Sequence, residues 1–120
     1  MLRESDDHGR TYDFGRALMR AHWDDSETLN SIAWFTVDDE GVKQRDLEFA
    51  LEAALRANAL TEEKNPSILD TVARVYFEKG DLKAAVKWQR LAVEHAGKSG
   101  MADQLEETLE KYEHVVDSRL

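Results

Sequence analysis

The sequence predicts an all-α fold: antiparallel helical hairpins stacked as a short superhelix, with flanking N- and C-terminal helices. Three observations carry this. Chain-breaking residues are scarce, with one proline and six glycines in 120 residues, so long helices are the default. Valine and isoleucine are scattered at helical spacing, and no stretch alternates apolar with polar residues as a half-buried strand would. One helix–turn–helix pattern occurs twice, and an internal repeat of this length indicates a stacked helical architecture. A hydrophobic content of 42% is enough for a core, and 120 residues make a single domain.

Residues 1–9 read as a frayed end. Tyr12, Phe14, Ala17, Leu18 and Ala21 suit a short helix over 10–22. Asp24-x-x-Glu27 resembles a capping box opening the next helix, and Trp23 beside it can staple that start. The first repeat covers 26–59, with the polar stretch Asp38-Asp39-Glu40-Gly41-Val42-Lys43 as its inner loop. The second covers 66–96. Asn65 suits an N-cap and Pro66 the first helical position, where its missing N–H costs nothing. Leu69, Val72, Ala73, Tyr76 and Phe77 then fall on one stripe. Gly80 can end that helix in the left-handed conformation, and Asp81 can cap the next. Leu82, Ala85, Val86, Trp88, Ala92 and Val93 continue an apolar face up to Gly97.

The two units align. Asp46, Ala50 and Ala57 lie 35 residues before Asp81, Ala85 and Ala92, and Ala33 lies 40 before Ala73. The five-residue difference is an insertion in the first inner loop. Downstream, Met101, Leu105, Leu109, Tyr112 and Val116 recur at helical steps over 101–118, opposite Asp103, Glu106, Glu107, Glu110 and Glu113. That suits a capping helix over the exposed end of a stack.

Leu69, Val72, Ala73, Tyr76, Gly80-Asp81, Ala85 and Ala92 together resemble a tetratricopeptide repeat (TPR). Small residues at these places let helices approach where larger ones would overpack. The unit departs from the family pattern at Gln89, where an aromatic is usual and Trp88 stands one residue before, and at Gly97, where proline is usual. The first unit keeps Ala33, Ala50 and Ala57 without the tight glycine turn. More narrowly, the strings Leu29-Asn30-Ser31-Ile32-Ala33-Trp34, Arg45-Asp46-Leu47-Glu48-Phe49-Ala50-Leu51 and Leu69-Asp70-Thr71-Val72-Ala73-Arg74-Val75-Tyr76-Phe77 are similar to the helical-repeat tails of bacterial thioredoxin-like (redoxin) proteins. That similarity spans residues 23–115. It implies a tail whose catalytic Cys-x-x-Cys half has no counterpart in this cysteine-free chain.

Charge narrows the function classes. Sixteen Lys and Arg against 25 Asp and Glu give a net charge of -9, which argues against nucleic acid and against anionic membrane surfaces. No apolar run is long enough to span a membrane, and Met1-Leu2-Arg3-Glu4-Ser5-Asp6-Asp7 carries acids where a signal peptide needs an apolar stretch. The compartment stays open between cytoplasm and, for the tail of an exported redoxin-like protein, periplasm. Without cysteine there is no disulfide framework, thiolate zinc site or thiol chemistry.

The TPR resemblance implies a concave groove lined by the first helix of each hairpin. Registering on Ala33 and Ala73 turns Asn30, Ser31 and Trp34, with Glu27 and Asp38, toward it in unit one. In unit two it turns Asp70, Thr71, Arg74 and Glu78, with Ser67. There Asn30 and Arg74 would donate hydrogen bonds to an extended ligand, and Asp70 and Glu78 would accept them. The same residues also suit a solvated polar face with weak pairs such as Asp70/Arg74. The family's carboxylate clamp needs Lys and Asn where this chain has Asn30 with Trp34 and Asp70 with Arg74, so an acidic C-terminal tail is not the expected ligand. Trp34 has two readings: an aromatic anchor in the groove, or packing on the inserted loop or the N-terminal helix. Trp88 is expected to face a neighbouring helix.

No catalytic residues, metal site or cofactor are expected. His8, His22, His95 and His114 share no helix face, and Glu110/His114 lacks the paired Glu-x-x-His motifs of di-iron bundles. Placing Gly41 at the sixth position of a calcium loop puts Thr36 first and Leu47 twelfth, which loses two key ligands. There is no nucleophile elbow or phosphate-cradling glycine loop. The expectation is a non-enzymatic protein–protein interaction or scaffolding module, its partner another protein or peptide segment. The alternative is a structural or dimerisation accessory domain of a thioredoxin-like redox protein, acting as a homodimer.

Overall fold

The computed structural model describes residues 15–38 and 44–119. The frayed end, the start of the N-terminal helix at 10–14 and inner-loop residues 39–43 lie outside them. The described residues form an all-α fold with no strand. The elements are α1 (15–21), α2 (Ser26–Val37), α3 (Gln44–Leu60), α4 (Pro66–Lys79), α5 (Leu82–Ala96) and α6 (Ala102–Ser118).

Local chemistry explains most boundaries. Asn65 caps α4, its side-chain oxygen accepting from the amides of Ser67 (3.0 Å) and Ile68 (3.3 Å). Gly80 closes α4 with φ 88°, and its amide bonds back to Phe77 and Tyr76. Asp81 then accepts from the Ala84 amide and starts α5. A Cβ at position 80 would meet nothing within 4 Å, so only the backbone requires glycine there. Gly80→Ala is expected to lower stability by about 1–2 kcal/mol, the cost of a left-handed L-residue, as read by urea denaturation.

The α2 cap falls one residue after the expected capping box. Asp25 accepts from the Thr28 amide (3.2 Å) and hydroxyl (2.7 Å), and these bonds hold its carboxyl below the usual range. Asp24 instead pairs with Arg56 at 2.6 Å. Arg56 also donates to the Trp23 carbonyl at 2.8 Å and lies 5.0 Å from the Trp23 ring centroid, tying α3 to the α1–α2 turn. Between α3 and α4, Glu62 and Glu63 both adopt positive φ, 57° and 60°. The Glu63 amide bonds the Asn58 carbonyl at 2.9 Å, so these two residues form the helix-ending turn usually given to glycine.

Each helix from α2 onward packs on the next in sequence, and α4 also reaches back to α2. The central helix is α4. Ile68, Val72 and Val75 join the core that α2 and α3 build around Leu29, Ala33, Ala50 and Ala57, which Met19 of α1 also enters. Leu69 turns the other way, to Ala92, Ala96 and Leu105 of α5 and α6. Ala73 meets Ala85 and Tyr112. All six alanines of the repeat alignment (33, 50, 57, 73, 85, 92) have no exposed surface. Trp88 borders all three clusters, which fits its expected helix-facing role. Gln89 is fully buried and donates from Nε2 to the Leu105 carbonyl at 3.1 Å.

Candidate binding cleft

A cleft of about 410 Å³ opens on the face shared by α2, α4 and α6. Trp34 of α2 forms one wall. The floor is α4, through Asp70, Arg74, Phe77 and Glu78, and the far wall is α6, from Met101 to Tyr112. Alternate helices line it; α3 and α5 contribute no lining residue among those described. The spacing of α4 explains its share. Positions 70, 74 and 78 recur every four residues and so form one row, beside the buried row of Leu69, Val72 and Ala73.

Of the seven residues read as groove residues, the structure brings four together: Trp34, Asp70, Arg74 and Glu78. The other three do not line the cleft. Thr71 is buried, 2% exposed, and its hydroxyl donates to the Ser67 carbonyl at 3.0 Å, because at α4's spacing it falls on the inner side of the helix. Ser31 is exposed on α2. Asn30 is half-buried, and its side-chain oxygen is enclosed with no hydrogen-bond partner among the described residues.

Arg74 organises the cleft's charge. Its Nε lies 3.0 Å from Glu78 Oε2 and a terminal nitrogen lies 3.7 Å from Asp38 Oδ1. Its guanidinium stands 5.6 Å from the Trp34 ring centroid, within cation–π reach. Trp34 lines the cleft, as its anchor reading expects; the inserted-loop residues of its other reading, 39–43, lie outside the described residues. The Asp70/Arg74 pair expected from spacing does not form. Arg74 turns toward the C-terminal end of α4, and no cation lies within ion-pair distance of Asp70 among the described residues.

Burial raises the Asp70 carboxyl above its ordinary 3.8, against a lowering hydrogen bond from the Gln89 side chain and the more distant charge of Arg74. Tyr112 is pushed up to about 12, first by burial and then by the Asp70 charge. It is 3% exposed and stacks on Phe77 with centroids 4.5 Å apart and planes 16° from parallel.

The raised Asp70 carboxyl has a sign that can be checked. The folded chain binds more protons than the unfolded one in the window above 3.8. Its stability therefore falls as pH rises through that window. Asp70→Asn is expected to raise Tm near neutral pH, with the advantage fading as pH falls below the ordinary carboxylate value. Thermal melts at both pH values check this; an unchanged or lowered Tm near neutral pH would contradict it.

The lining holds no histidine, and the Thr108 hydroxyl donates to the Gln104 carbonyl of its own helix. The cleft offers hydrogen-bonding groups, charge and aromatic surface. Among the described residues, no group of three or more His, Asp or Glu is arranged to hold a metal ion, and no helix is long and apolar enough to cross a membrane.

Sequence reasoning missed the α6 wall. Gln104, Thr108 and Lys111 border the apolar stripe of Leu105 and Tyr112 on the cleft side, whereas Asp103, Glu106, Glu107 and Glu110 are exposed, as a capping helix predicts. The available signal was spacing: Gln104, Thr108 and Lys111 recur at helical steps beside the apolar Leu105 and Tyr112. Set against protein-family models, curated proteins and solved structures, the chain matches none of them.

Proposed function

We propose that this chain is a non-enzymatic protein–protein interaction module of tetratricopeptide type, which takes a segment of another protein into the α2–α4–α6 cleft. The observation that carries the reading is the cleft itself, about 410 Å³ in volume and lined by alternate helices. That volume is within the range of ligand sites. Trp34, Arg74 and Tyr112 on its lining are the residue types that dominate binding energy at interfaces. The buried alanines that bring the helices together support the repeat reading.

The test is selection of linear peptides from a random display library on the full chain, followed by anisotropy titration. Trp34→Ala and Arg74→Ala, checked for folding by circular dichroism, are expected to weaken the selected peptides roughly tenfold each. Recovery of no peptide, or affinities unchanged by both substitutions, would remove the proposal.

One observation favours a second reading, an accessory domain that associates with a copy of itself or with a redox domain. Phe35 of α2 is 75% exposed, more than the other exposed large apolar side chains among the described residues, Trp23 and Leu55. Light scattering separates the two: a dimer that Phe35→Ser dissociates favours self-association, and a monomer disfavours it.

A further inference from the structure

The cleft holds one carboxylate, Asp70, that is paired with no cation among the described residues. Arg74 faces Glu78 at 3.0 Å and Asp38 at 3.7 Å, so its single positive charge is already shared between two carboxylates. Asp70, one turn earlier on the cleft floor, has no cation within ion-pair distance among the described residues; its described partner is the neutral Gln89 side chain. Lys111 is exposed on the α6 wall. On the lining Asp70 and Glu78 equal Arg74 and Lys111 in number, but Asp38, outside the lining, also draws on Arg74, so Asp70 is left without a cation partner in a chain whose net charge is -9.

Aromatic surface borders the same cleft as Asp70. Trp34 lines it from α2, and Phe77 lines its floor, backed by the buried Tyr112 ring. Such surfaces suit a long methylene stem ending in a cation, which covers apolar surface with its stem and meets π-faces and carboxylates with its head. An acidic ligand would meet the unpaired Asp70 carboxylate instead.

From the unpaired Asp70 carboxylate and the aromatic lining together, we propose that the cleft receives a basic side chain, lysine or arginine, of the partner segment, with its cation at the Asp70 carboxylate and its stem along Trp34 and Phe77. This rests on the interaction reading above and names the ligand chemistry that reading leaves open. The partner is therefore a protein with an exposed basic segment. The Asp70 carboxylate, at the bottom of the cleft, selects for the cation, while Arg74 keeps Glu78 and Asp38 turned to one side.

The experiment uses peptides selected on the full chain from the random library, each resynthesised with every basic residue in turn replaced by norleucine. Binding is measured to the unsubstituted chain and to Asp70→Asn, Asp70→Glu and Glu107→Gln. Glu107, an exposed carboxylate outside the cleft lining, controls for overall charge. The expected result has three parts. The peptides carry Lys or Arg, and one such residue loses roughly 10- to 100-fold affinity as norleucine, the size of a charge-assisted hydrogen bond. Asp70→Asn abolishes that difference, and Asp70→Glu retains part of it. Glu107→Gln leaves it intact.

Peptides that need Trp34 but carry no basic residue, or that bind Asp70→Asn unchanged, would overturn this inference and leave the interaction reading standing. An equal loss in Glu107→Gln would also overturn it, by showing diffuse attraction to an acidic chain. No peptide dependent on Trp34 or Arg74 would overturn both.

Discussion

Tyr112→Ala is expected to lower the free energy of unfolding by about 3–5 kcal/mol, the usual range for removing a buried aromatic. The side chain is 3% exposed, packs on Ala73 and Ala85, and stacks on Phe77 at 4.5 Å. Neither alanine can extend to fill the space, because both sit where helices approach closely. The same ring is part of the α6 wall, so the substitution also opens the cleft. Urea denaturation should show a lower midpoint with an unchanged slope, the sign of a stability change without loss of cooperativity. A change under about 1 kcal/mol would mean that α6 docks without the stack.

Leu69→Ala is the second large effect, about 2–5 kcal/mol. Leu69 has no exposed surface and fills the junction where α4 meets Ala92, Ala96 and Leu105. It does not line the cleft. The two substitutions should therefore part in their effect on ligand: at temperatures where both variants are folded, Leu69→Ala keeps peptide affinity and Tyr112→Ala loses it. Equal losses would mean that the cleft is only as well formed as the core beneath it.

The all-α fold was legible because its determinants are local or periodic. Asn65, Gly80 and Asp81 act within three residues of where they stand, and the alanines at 33, 50, 57, 73, 85 and 92 mark close approaches by being small. The site was legible only on one helix row. Asp70, Arg74 and Glu78 are four apart, which puts them together but does not say which carboxylate the guanidinium chooses. Glu78, on the C-terminal side, and Asp38, the C-cap of α2, took it. Thr71 was misplaced because it lies one residue from the row, about 100° around the helix axis. The α6 wall was hidden for a different reason. Periodicity separates an apolar stripe from a polar face, but it does not say what stands opposite the border between them. Gln104, Thr108 and Lys111 lie on that border.

The central claim is that the cleft between α2, α4 and α6 is where a partner docks. Amide chemical-shift mapping on the full chain, titrated with a library-selected peptide, tests it most directly. The account predicts shifts concentrated at Trp34, along α4 from Asp70 to Glu78, and on α6 from Met101 to Tyr112. Shifts centred on the outer faces of α3 and α5, around Leu55 or Lys87, with the cleft residues unmoved, would contradict it.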